Sequence, residues 1–132
     1  MVLIIVATVV GALTPSLARQ ITHARINRAA NVVAGDFYLA QSLAVRQRSP
    51  VIVTFDGGLK TTTIALPNGT ALFTRRFDIE SEFKLSAFSA SPASVTLLPS
   101  GMANSSVTVT IGGSDYNKRV RMTRAGQIRI IG

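Results

Sequence analysis

The sequence predicts an α+β fold in which one long N-terminal helix packs on a C-terminal antiparallel β domain, and three observations carry that prediction. Residues 1–18 contain no charged side chain, the apolar residues between Arg19 and Arg48 recur at helical spacing, and beyond Pro50 the pattern becomes alternation broken by turn residues. A helix followed only by antiparallel strands must bury its apolar stripe against them.

The opening stretch, MVLIIVATVVGALTPSLA, has only Thr8, Thr14 and Ser16 as polar side chains. At about 1.5 Å per residue it would reach roughly 27 Å, close to the roughly 30 Å hydrocarbon thickness of a bilayer. Residues 1–20 are therefore expected to lie in a membrane or an apolar assembly core. Leu3, Val6, Val10 and Leu13 are the candidate contact positions, and Pro15 is a tolerated break in the helix. The competing reading is a secretory signal ending at Ser16-Leu17-Ala18. The missing basic region before Val2 favours an anchor.

Residues 21–48 continue the helix amphipathically. Ile26, Ala30, Val33, Phe37, Ala40 and Ala44 form one stripe at alternating spacings of four and three, and Leu39 and Leu43 should widen it. Arg19, His23, Arg25, Arg28, Gln41 and Arg48 fall mostly elsewhere, and Pro50 stops the helix. Gly35 costs about 1 kcal/mol relative to Ala, so a kink is expected there.

Residues 51–132 read as the β domain. VIVTF (51–55) and 61–66 form a hairpin about Asp56-Gly57-Gly58, closed by Pro67-Asn68-Gly69. The segments 70–77 and 83–87 are weaker strands, SASPAS (89–94) is a loop, and 95–98 is a short strand before Pro99-Ser100-Gly101. SVTVTI (106–111) alternates clearly, 112–117 is a connection, and 119–123 with 127–131 make a last hairpin around Ala125-Gly126.

Composition excludes several functions. The 132 residues include no Cys, which removes disulfides and thiolate metal sites. His23 sits in a basic neighbourhood with no carboxylate near it in sequence, and is read as a solvated neck residue. Asp78, Glu80 and Glu82 share one face of an extended segment, but an alternating acidic run is more readily a solvated edge than a cation site. With no catalytic constellation, phosphate-binding glycine loop or metal spacing, the chain reads as a non-enzyme with no cofactor, no metal and no catalytic residue.

The net charge of +8 is uneven. Residues 1–48 hold five Arg against Asp36, 49–114 balance four cations with four acids, and 115–132 hold five cations against Asp115. In the last hairpin, alternation turns Arg119 and Arg121 outward with Val120 and Met122 inward, and Gln127 and Arg129 outward with Ile128 and Ile130 inward; Lys118 and Arg124 flank the row. Lys118, Arg119, Arg121, Arg124, Gln127 and Arg129 are thus the candidate nucleic-acid surface, since such cations can neutralise backbone phosphates. The blander reading is a charged edge that prevents strand pairing, and no aromatic platform for single strands accompanies the arginines.

An apolar helix with a proline along it, an amphipathic continuation and then a β domain together resemble type IV pilins and type II secretion pseudopilins. Leu39 to Phe55 (LAQSLAVRQRSPVIVTF), Val95 to Gly101 (VTLLPSG) and Arg119 to Ile130 (RVRMTRAGQIRI) resemble the GspH/FimT family of minor pseudopilins. The resemblance implies a pilin-like fold and a structural subunit of a type II secretion pseudopilus or of a type IV pilus tip or initiation complex. It implies single-pass insertion in the bacterial inner membrane, with the globular domain in the periplasm or at the cell surface. Other pilins and minor pseudopilins would be partners, and a prepilin peptidase the processing enzyme. The family's basic leader, cleavage-point Gly and helix Glu are absent, so its processing and methylation positions are expected upstream of Met1. FimT-type members bind DNA in natural transformation through the C-terminal region, which makes DNA uptake the alternative role. Here Gln127 replaces the first Arg of the family's closing Gly-Arg-x-Arg, leaving Arg129.

Overall fold

The computed structural model describes residues 2–131 except 79, 82, 114 and 115, and side chains from residue 17 onward, residue 18 excepted. Helix α1 runs unbroken over Val2–Gln47, through Gly35. It stops where Arg48 takes a left-handed φ of 52° two residues before Pro50. The expected stripe is buried throughout, from Ile26 to Ala44. Its flank differs from expectation. Leu39 stays exposed and Leu43 half-buried, while Ala29 and Asp36 are buried instead, because on this flank of the helix they lie closer to the centre of the stripe than the two leucines do.

Eight strands follow: β1 (Val51–Asp56), β2 (Thr61–Ala65), β3 (Ala71–Arg76), β4 (Ala87–Ser91), β5 (Ser94–Leu97), β6 (Val107–Gly112), β7 (Asn117–Met122) and β8 (Ile128–Ile131). They form two antiparallel four-stranded sheets, ordered β3-β2-β1-β5 and β4-β6-β7-β8. Turn chemistry sets the first hairpins. Asp56 Oδ1 accepts from the amides of Gly58 and Leu59 at 2.9 Å each, and Asn68 Oδ1 accepts from the Thr70 amide at 2.9 Å.

The SASPAS segment corrects the sequence reading. It is not a loop but the end of β4 and the start of β5, separated only by Pro92 and Ala93, and the expected strand at 83–87 contributes only its last residue. The serines of these strands face outward, so the segment lacks the hydrophobic signal that marks a strand. The join is also where the two sheets meet. Ala93, just past the end of β4, gives its carbonyl to the Phe55 amide of β1 at 2.7 Å.

The core lies between the helix and both sheets. Phe37 of α1 meets Phe55 of β1 at a centroid distance of 5.6 Å, Phe55 meets Phe88 of β4 at 6.2 Å, and Phe77 stacks on Phe88 at 5.3 Å. One aromatic chain thus ties helix, first sheet and second sheet together.

Candidate functional site

The outer face of the second sheet is polar and basic. Antiparallel register sets Arg121 directly opposite Arg129, with Thr108 on its other side, and places Arg119 beside Thr110. Ser89 and Ser91 of β4 continue the same rows. Arg119, Arg121, Arg124, Gln127 and Arg129 are all exposed. None of these arginines takes part in an ion pair among the described residues. Two like charges directly opposed across strands, with no acid among the described residues paired to them, are a stability cost.

Two expectations for this hairpin change. Lys118 shares the inward face with Val120 and Met122 and is half-buried, so strand alternation removes it from the arginine row. Ile130 lies opposite Val120 yet is 40% exposed, because β8 is the outermost strand of its sheet.

The hairpin tip is locked from two sides. Gly126 has a φ of +90°, and a Cβ there would lie 2.3 Å from the Gly101 carbonyl oxygen. Its own carbonyl accepts from Gln41 Nε2 of α1 at 2.8 Å, and the neighbouring Arg124 carbonyl accepts from the Ala103 amide at 2.9 Å. Helix, the 98–106 loop and hairpin therefore meet at one junction. The glycine was visible in the sequence as a turn residue, but the approach of the other two elements was not.

On the helix itself, His23 is not the solvated neck residue expected. Its ring stacks on Tyr116 at 4.0 Å, and the Tyr116 hydroxyl donates to Asn27 Oδ1 at 2.8 Å, so Tyr116, just before β7, is pinned to α1. Asp36, buried on the helix, accepts from Arg75 Nε of β3 through both oxygens, at 2.9 and 3.2 Å. Burial pushes the Asp36 carboxyl above its usual range, and the Arg75 hydrogen bond and charge pull partly back. Sequence reading missed this pair because its members lie in distant elements.

The acidic run is engaged with a neighbour. Arg76 pairs with Asp78 and lies 3.5 Å from Glu80, while Glu82 falls outside the described residues. No group of three metal-ligating side chains occurs among the described residues. The side chains of Leu3, Val6, Val10, Leu13 and Pro15 also lie outside the described residues. Among the described residues, no helix is long and apolar enough to cross a membrane. The helix leaves the domain with Leu17 55% and Ile21 53% exposed.

A family model described as "Type II transport protein GspH" matches residues 29–126. That span ends before Arg129. Two crystal structures of the Pseudomonas aeruginosa type IV minor pilin FimU are similar in fold. One gives a TM-score of 0.65 at 19% identity, covering 81% of this chain and 88% of FimU; the other gives 0.63 at 20%, covering 80% and 92%. The pilin-like α+β fold is therefore shared with FimU. No curated protein matches the sequence.

Proposed function

Because the chain belongs to the GspH family of type II transport proteins, we propose that it is a minor pseudopilin that works by assembly, not by catalysis. It is held in the bacterial inner membrane by residues 1–20 and passes into a pseudopilus or pilus, where its helix packs against those of neighbouring pilins. A prepilin peptidase processes it, and its β domain faces the periplasm or the cell surface. The observation that carries this reading is the helix leaving its own domain: among the described side chains burial begins at Ile26, while Leu17 and Ile21 are left for another apolar partner. A charge placed at Val6 or Val10 tests it, since an unpaired charge in an apolar bundle is costly. Val6→Asp should abolish co-purification with filament subunits without changing the thermal melt of the β domain. Normal assembly of that variant would make the segment a discarded signal.

The opposed, unpaired arginines of the second sheet favour a second reading, in which the protein holds DNA during uptake. Guanidinium and hydroxyl groups on one face suit phosphate contacts, so binding should be micromolar or weaker, sequence-independent and steeply salt-sensitive. In gel shifts of the full chain in neutral detergent, changing Arg119, Arg121 and Arg129 together to Gln should remove binding, and Gln127→Arg should strengthen it. No shift at low salt leaves the assembly role alone.

A further inference from the structure

A separate cleft lies where α1 emerges from the domain. It encloses about 100 Å³ and is lined by Thr22, Arg25 and Ile26 of the helix, by the 83–86 loop including Lys84 and Ser86, and by Gly112 and Gly113. Arg25 and Lys84 bring two cations to it from separate elements, with no acid among the described lining residues, and the Ser86 hydroxyl donates to the Gly112 carbonyl at 3.3 Å. Neither cation has an ion-pair partner among the described residues. Lys84 is held at a φ of 51°, an unusual backbone for a lysine, between two buried neighbours, Phe83 and Leu85. The space admits a few waters or one tetrahedral oxyanion.

Position selects the source of that anion. At about 1.5 Å per residue, Arg25 lies roughly 8 Å along the helix beyond residue 20, close to the roughly 5–8 Å that the headgroup region adds on each side of a bilayer's hydrocarbon core. We propose that this cleft binds the phosphate of an anionic phospholipid headgroup, holding the β domain at a fixed height on the membrane before assembly. The inference rests on the membrane reading of residues 1–20, and the aliphatic stems of Arg25 and Lys84 fit them to this interfacial position.

The test uses the full chain in phosphatidylcholine bicelles, followed by amide NMR of Lys84, Ser86 and Gly113. Adding phosphatidylglycerol should shift these amides saturably, and the double variant Arg25→Gln/Lys84→Gln should weaken the response about tenfold or more. The triple Gln variant of Arg119, Arg121 and Arg129 should respond like the parent. Equal shifts from inorganic phosphate overturn the lipid assignment in favour of a free anion. Shifts that persist in the double variant, or vanish in the triple, overturn the cleft. If the chain does not enter bicelles at all, both this inference and the membrane reading fail, whereas insertion without shifts removes only the cleft.

Discussion

At the scale of single residues, two buried polar groups decide what titration and substitution should do. The folded Asp36 carboxyl has its pKa raised above the ordinary 3.8, so its contribution to stability is complete below that value and is lost as pH rises through the raised pKa. Denaturant melts across acid pH should show this loss in the parent, and its absence in Asp36→Asn. Removing the other partner is the harsher change. Arg75→Met leaves a buried carboxylate without its guanidinium, and should cost about 1–3 kcal/mol at neutral pH. Thr62 is buried in β2 and its Oγ1 has no hydrogen-bond partner among the described residues. Thr62→Val replaces it at similar volume, and should raise the melting temperature through a gain of about 1 kcal/mol. Phe37→Ala removes the aromatic link between helix and first sheet, and should cost about 3–5 kcal/mol in the same melts.

At the scale of elements, the hairpin β7–β8 depends on contacts that neither strand supplies. An alanine at Gly126 meets both an unfavourable φ and the Gly101 carbonyl, so Gly126→Ala should destabilise by about 1–3 kcal/mol. Gln41→Leu should cost about 1 kcal/mol and speed amide exchange in β8 more than in β1, as hydrogen-exchange NMR would read. The contrast between these residues explains what was legible beforehand. The apolar helix stripe and β6 carry their own period, so position alone reveals which residues are buried. Asp36, Tyr116 and Gln41 are placed by partners remote in the chain, and no local pattern records such a partner. Strands β4 and β5 fall between these cases, since their outward serines imitate a loop. For the basic face, alternation was enough to orient Arg119, Arg121 and Arg129, but not to tell that their opposite positions would hold Thr108, Thr110, Ile131 or another of these arginines instead of acids.

At the scale of the whole molecule, the proposed function asks one helix to serve two environments. Deleting residues 1–20 should leave a folded β domain, because every buried helix position named in the core lies at Ile26 or beyond. Circular dichroism should retain the β signal, and an unfolded, aggregating product would place the boundary elsewhere. The same geometry bears on mechanical load. A subunit drawn out of a membrane by its helix is pulled along the α1 axis, and the buried side chains from Ile26 to Ala44 lie parallel to that pull. They would be loaded together, in shear, instead of being peeled apart one after another. The bond from Gln41 to Gly126 joins α1 to the hairpin tip within this same stretch, so it would share the shear and add a polar catch against the helix slipping from beneath the sheets.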